Sequence, residues 1–210
     1  MKTFLSLLLL LFFLSCSIKD QATSPSAQVS KHADFTRPKQ NLVKSILMQE
    51  AIAEPEIIRP SSFVNCGLNE KSKELAKLII SSHGQQRPVI RCNSLLSKVA
   101  SEQAKKLANA GVIDHFVGGP PNQRLVASGF DLVKDRRNMA NTVEAILGGE
   151  KTADDAWTRF QMSFGHKRHL LGEHDMFREQ TEIGVGHYYK WHSPHVDYWV
   201  VYLAKPNHQE

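Results

Sequence analysis

The chain has 210 residues and a formal net charge of +5 at pH 7, with 41% hydrophobic and 22% charged residues. This length fits one domain with a tail better than two domains, and the composition is that of a globular protein with a real core. The charge is too small, and too little organised into arginine-rich stripes, to indicate a nucleic-acid partner. We therefore expect a monomeric globular protein that does not bind nucleic acid.

The N-terminus has the features of a secretory signal. Lys2 precedes an apolar run over residues 4–14, which is too short to span a bilayer comfortably. Cys16 follows where polar sequence begins, as in a bacterial lipoprotein signal. We expect residues 1–16 to be such a signal with Cys16 lipidated, in preference to an ordinary cleaved signal with an incidental cysteine. Ser17 favours sorting to the outer membrane, so the expected location is the cell envelope, lipid-anchored, and otherwise secreted or periplasmic.

A tether and a disulfide are expected next. Residues 17–65 begin with polar sequence typical of a flexible linker, and they continue as an N-terminal extension of the domain. Cys66 and Cys92 remain once Cys16 is lipidated, and an even number of cysteines in an oxidising compartment indicates a disulfide. Such a bond would stabilise the fold by about 3–4 kcal/mol on the chain-entropy account. The alternative is two buried free thiols.

The folded domain is expected over residues 66–208, with helices first and strands last. Asn69 and Asn93 are predicted N-caps of two helices, the second ending at Gly111, and Thr152 is the predicted N-cap of a third. Residues 182–189 and 197–203 are rich in β-branched and aromatic residues and predict an antiparallel hairpin. This order predicts an α+β domain with helices packed on a small antiparallel sheet.

Histidines and a carboxylate from separated segments form the candidate site. His166 and His169 share one face if their segment is helical. His115 lies on a loop, and Glu144 lies in an apolar run where a buried charge requires a partner. Three interpretations are open. The site is a divalent metal site, most simply for zinc, an acid–base pair in which Glu144 orients a histidine, or a structural hydrogen-bond cluster in a shallow cleft.

Five motifs in order resemble a known family. They are His115-Phe116, Glu144 to Gly149, Met162 to Lys167, Glu182 to Gly186 and Tyr198-Trp199. Together they resemble the bacterial branch of the CAP superfamily, which comprises cysteine-rich secretory proteins, antigen 5 and pathogenesis-related 1 proteins and whose domain is also called the SCP domain. The resemblance implies an α-β-α sandwich with a central cleft. It also implies that His115, Glu144 and His166 line this cleft, and that His115 and His166 are the candidate ligands of zinc or a related ion.

The sequence departs from the family pattern in the cleft. The family's second cleft acid falls on Ser163, and Asp155 and Glu182 are candidates to replace it. Arg124 matches the family's arginine, and we expect it to brace the structure through a carboxylate or carbonyl.

The remaining histidines receive structural interpretations. We expect His169 to be a surface or helix-cap residue. We expect a solvated loop to hold three others, namely His187, His192 and His195, with a metal or anion patch as the alternative.

The predicted function is binding rather than catalysis, because the cleft lacks one acid. We expect the cleft to bind a lipid, an envelope component or a protein partner. The alternative is a metal-dependent hydrolase with His115 and His166 as ligands and Glu144 as the base. In a third interpretation the cleft is vestigial, and the hairpin or the basic residues 134–137 contact partners.

Overall fold

A computed structural model describes residues 63–207. The predicted signal, Cys16 and the tether to residue 62 lie outside the described residues, and the domain limits 66–208 stay a prediction. Within residues 63–207, no helix is both long enough and apolar enough to span a membrane. The helices and strands in chain order are α1 (Glu70–Ile80), β1 (Arg91–Cys92), α2 (Ser94–Ala110), α3 (Pro121–Ala127), β2 (Glu144–Gly148), α4 (Ala153–Met162), α5 (Phe164–Leu170), α6 (Asp175–Arg178), β3 (Glu182–Tyr189) and β4 (Asp197–Ala204).

The sheet has four strands in the order β1-β3-β4-β2. The predicted hairpin is confirmed, because β3 pairs antiparallel with β4 from Glu182 opposite Ala204 to Tyr189 opposite Asp197. Strand β2 extends the antiparallel part of the sheet on the other side of β4. The two-residue edge strand β1 runs parallel to β3, a departure from the fully antiparallel sheet expected. Both β1 and β2 were missed as strands by the sequence analysis.

Strand β4 is buried along its whole length. Its side chains alternate between the two faces of the sheet, and each face packs against its own hydrophobic core. Trp199, Val201 and Leu203 belong to the core cluster that contains residues of α1, α4 and α5. Tyr198, Val200 and Tyr202 belong to the opposite cluster, with residues of α2 and α3. The sheet is therefore the middle of three layers, and the predicted α+β fold, an α-β-α sandwich, is confirmed.

The predicted N-caps are confirmed. The side-chain oxygen of Asn69 accepts a hydrogen bond from the amide of Ser72, and that of Asn93 accepts from Leu96 at 3.0 Å. Thr152 caps α4 by accepting from the amide of Asp155. Gly111 ends α2 with a left-handed φ of 72°, a conformation that glycine adopts without steric penalty.

The predicted disulfide between Cys66 and Cys92 is present, with 4.5 Å between the two Cα atoms. Cys66 closes a short 3-10 helix at the start of the described chain, and Cys92 lies in β1. The bond therefore ties the first described residues to the edge of the sheet.

Two glycines of β3 allow α2 to approach the sheet closely. A Cβ atom at Gly184 would lie 2.2 Å from the amide nitrogen of Ser97, and one at Gly186 would lie 2.2 Å from the carbonyl carbon of Ala100. These contacts involve the backbone of α2, so no side-chain rotation relieves them. The alternation of glycine with Ile183 and Val185 thus gives β3 one apolar face and one flat face.

We expect Gly186→Ala to lower the free energy of unfolding by about 3 kcal/mol, because the added methyl group forces α2 away from the sheet. Gly165→Ala is the matched control. A Cβ at this helical position meets no atom within 4 Å, so its effect should stay within about 1 kcal/mol. Urea unfolding of both variants measures the difference, and equal effects would contradict the proposed close packing.

Candidate functional site

The three predicted cleft residues, His115, Glu144 and His166, line one cavity of about 260 Å³. The cavity lies between the loop after α2, the start of β2 and the junction of α4 with α5. Its other lining residues are Asn141, Thr142, Ser163, Gly165, His169 and Phe177. A larger hollow of about 510 Å³ lies beside α1, where Phe63, Val64 and charged side chains line it. Because that hollow contains no histidine, we place the candidate site in the smaller cavity.

The Glu144 carboxylate is fully buried and has a partner for each oxygen. One oxygen accepts from the Arg124 guanidinium, and the other lies 2.9 Å from Nδ1 of His115. Arg124 also donates to the carbonyl of His115 at 2.6 Å and to the hydroxyl of Tyr202 at 3.0 Å. The predicted bracing role of Arg124 is thereby confirmed, and the buried charge of Glu144 is compensated. Burial, reinforced by the Glu144 charge, raises the pKa of Tyr202, which keeps its hydroxyl neutral.

The contact with Glu144 sets the tautomer of His115. A carboxylate only accepts hydrogen bonds, so Nδ1 of His115 carries the proton and donates it to Glu144. The lone pair then lies on Nε2. The imidazole is half-buried and takes part in lining the cavity. A carboxylate behind a histidine is the usual support of a metal-binding imidazole.

Asn141 is a site residue that the sequence analysis missed. Its side-chain oxygen accepts from the backbone amides of Val143 and Glu144, and its amide nitrogen donates to the Glu144 carbonyl at 3.1 Å. The same nitrogen lies 3.2 Å from Nδ1 of His115. Asn141 therefore fixes the start of β2, and with it the position of Glu144. Asparagine side chains often accept hydrogen bonds from backbone amides two or three residues later in the chain. An asparagine just before an apolar run could therefore have indicated this turn from the sequence.

Helix α5 carries two histidines on one face, as predicted. The His166 ring is partly buried and packs edge-on against Phe160, with 5.2 Å between ring centroids. Burial lowers the pKa of His166, and the neighbouring His115 lowers it further. His166 is therefore held in its neutral form, in which one ring nitrogen has a lone pair.

The expectation that His169 is a surface or cap residue is wrong. Its exposure is 6%, it lines the cavity, and its Nε2 lies 3.1 Å from the side-chain oxygen of Gln180. Burial lowers the pKa of His169 to about 3, and the positive charge of Arg87 acts in the same direction. The partner Gln180 comes from the segment before β3, a long-range contact that helical spacing does not reveal.

Arg87 was also missed, and it holds α5 in place. The side chain is 1% exposed and donates to the backbone carbonyls of His169, Leu170 and Phe177, which lie near the C-termini of α5 and α6. Within residues 63–207 no carboxylate forms a salt bridge with it. Carbonyls at helix C-termini carry partial negative charge and compensate the guanidinium in part. Burial lowers the pKa of Arg87 to about 9.

The candidate replacements for the second cleft acid lie elsewhere. Asp155 bonds to Thr152 at the start of α4, and Glu182 accepts from Asn93. Ser163 does line the cavity, so a hydroxyl stands where the resemblance implies an acid.

The expectation of a solvated loop holds only in part for the remaining histidines. His187 is buried within β3, and its Nε2 lies 2.7 Å from a carboxylate oxygen of Asp197. His187 lies within the predicted strand 182–189 and pairs opposite Trp199, so it belongs to the sheet and not to the loop that follows. His192 is exposed and His195 partly exposed, both between β3 and β4.

His115 and His166, the metal ligands suggested by the sequence, both line the cavity, and Glu144 supports His115. Imidazole nitrogens, which both side chains offer, suit zinc. The Glu144 oxygens are already engaged, so this carboxylate would orient a ligand instead of binding the ion itself. Among residues 63–207, no three His, Cys, Asp or Glu side chains converge as a metal-binding group. Water or a bound ligand would therefore have to complete the coordination.

Comparison with known proteins identifies no family for the chain. No protein-family profile matches it, and no curated protein matches it by sequence. Among solved structures, an outer surface protein from Borrelia burgdorferi is similar, with a TM-score of 0.46 and 23% identity. The match covers 63% of this chain and 87% of that one. Similarity at this level does not establish a common function, so the resemblance to the CAP superfamily stays a prediction.

We expect Arg124→Met to lower the free energy of unfolding by about 3–5 kcal/mol, because it leaves a buried carboxylate without its cationic partner. Adding Glu144→Gln removes that charge, and the double variant should regain roughly 1–3 kcal/mol. Arg137→Met is the control, since Arg137 pairs with the exposed Asp131. It should lower the free energy of unfolding by about 1 kcal/mol or less. Urea unfolding measures all three, and a double variant less stable than Arg124→Met would contradict the charge compensation.

Proposed function

We propose that this chain is a lipid-anchored CAP-domain protein of the bacterial cell envelope that binds a lipid, an envelope component or a protein partner through its cavity. The anchor would be Cys16, with the outer membrane as its location. The cavity residues His115, Glu144 and His166 would form the binding site, and the protein would act as a non-enzymatic monomer. The α-β-α layering and the meeting of these three residues in one cavity support the proposal.

The observation that favours a binding role is that the Glu144 carboxylate is buried and both of its oxygens already have partners. A general base must be able to take a proton from a substrate or a water molecule. Glu144 is fully buried, and its two oxygens accept from Arg124 and His115. It is thus placed to fix His115 and is poorly placed to react. Ser163 places a hydroxyl where the family pattern has its second cleft acid, so, within the described residues, the cavity lacks the second carboxylate of that pattern.

A divalent ion is compatible with this role. His115 and His166 would hold zinc, which would polarise a ligand oxygen bound beside it. Glu144 would keep the His115 imidazole in the tautomer that presents Nε2. The hydrolase alternative requires Glu144 to leave its two partners, and no contact in the cavity favours that rearrangement.

The test is zinc titration by calorimetry on the chain from Gln21 onward, together with an assay for hydrolysis of activated esters. We expect one zinc ion per chain, no zinc binding by His115→Ala/His166→Ala, and no zinc-dependent hydrolysis above the level of that variant. His83→Ala/His192→Ala is the matched control, because both of these side chains are exposed and lie outside the cavity.

Two results would contradict the proposal. Zinc bound equally by the cavity variant would remove His115 and His166 from the site. Hydrolysis that depends on zinc and on Glu144 would replace the binder with the hydrolase.

A further inference from the structure

The α4–α5 corner combines exposed apolar side chains with two basic side chains, of which Lys167 is exposed and Arg168 is half-buried. We define this corner as Met162, Phe164, Lys167 and Arg168. Met162 is 71% and Phe164 is 78% exposed, the largest values among the exposed large hydrophobic residues of the described chain. Phe164, Lys167 and Arg168 are spaced three and four residues apart on α5 and therefore share one helix face. The Arg168 guanidinium lies 5.9 Å from the centroid of the Phe164 ring, which confirms this arrangement.

The opposite face of α5 carries the cavity histidines. His166 and His169 line the cavity, and Leu170 is buried in the core. The cavity and the corner therefore lie on opposite sides of the same helix, α5. Ser163 and Gly165, which also line the cavity, directly neighbour Met162 and Phe164 in the chain. A surface that contacts the corner would therefore lie beside the cavity.

The corner itself carries only positive charges. Residues 156–172 contain three basic residues and no acidic residue. Arg168 forms no salt bridge within residues 63–207. Lys167 lies 3.6 Å from a carboxylate oxygen of Glu173, but the Lys167 side chain stays 47% exposed. Exposed pairs of this kind are weak, so Lys167 remains available to an anionic surface.

We infer that the α4–α5 corner docks on an anionic lipid bilayer, with Met162 and Phe164 inserted at the headgroup boundary and Lys167 and Arg168 on lipid phosphates. Insertion of exposed apolar side chains and attraction of basic side chains to anionic lipid are the two contributions that hold a peripheral protein at a bilayer. A protein partner would need acidic and apolar groups in one specific arrangement, whereas a bilayer supplies both in any register. The docked orientation would set the cavity against the membrane.

The test is co-sedimentation of the chain from Gln21 onward with vesicles of phosphatidylcholine alone, or of phosphatidylcholine and phosphatidylglycerol in equal parts. We expect binding to the anionic vesicles that decreases with added salt. Lys167→Gln/Arg168→Gln should weaken it roughly 25-fold, at about fivefold per charge. Met162→Ala/Phe164→Ala should weaken it by a similar factor.

The control variants change exposed side chains outside the corner. Tyr189→Ala/Trp191→Ala removes two exposed aromatic residues of the hairpin, and Lys105→Gln/Lys106→Gln removes two exposed charges of α2. Both should bind like the unchanged chain. In the zinc titration, Lys167→Gln/Arg168→Gln and Met162→Ala/Phe164→Ala should bind zinc like the unchanged chain, so failure of the proposed cavity function is distinguishable from failure of this inference. Absent vesicle binding, or binding that the corner variants leave intact or the control variants weaken equally, would overturn the inference, and acidic protein surfaces would then become the partner to test.

Discussion

The site depends on one buried ion pair. Arg124 of α3 and Glu144 at the start of β2 meet beneath the cavity, and the carboxylate also fixes His115. Removing either charge would leave the other uncompensated in a medium where an isolated ion is expensive. The pair therefore links α3, β2 and the loop after α2 in one arrangement. The cavity geometry follows from that arrangement more than from the local conformation of any one segment.

A second buried cation positions the other side of the cavity. Arg87 donates hydrogen bonds to backbone carbonyls near the ends of α5 and α6. These bonds fix the helix that carries His166 and His169. Both histidines stay neutral mainly because they are buried, and the positive charge of Arg87 lowers the pKa of His169 further. The cavity thus has neutral imidazoles on a rigid frame, as a binding site requires. Helix α5 also presents its outer face to solvent, so one short element connects the cavity with the surface.

Local signals in the sequence predicted several helices and the β3–β4 hairpin, and the family resemblance implied three residues that line the cavity. Helix caps, the β-branched and aromatic residues of β3 and β4, and the helical spacing of His166 and His169 depend on neighbours within a few residues, and these predictions were confirmed. The partners of buried polar groups depend on residues far apart in the chain. Gln180 beside His169 and the carbonyls around Arg87 are such partners, and no periodicity marks them. Strand β1 was missed because it has two residues, and β2 because a charged residue opens it.

The measurement that tests the central claim most directly is the tautomer of His115, read from its ring ¹⁵N chemical shifts at a mildly alkaline pH where imidazole is neutral. The account predicts a protonated Nδ1 and an unprotonated Nε2, because the buried Glu144 carboxylate accepts from Nδ1. It also predicts that Glu144→Gln shifts the population toward the tautomer that dominates in free histidine. A protonated Nε2 in the unchanged chain, or shifts that average the two tautomers, would show that Glu144 does not fix His115 and would contradict the account.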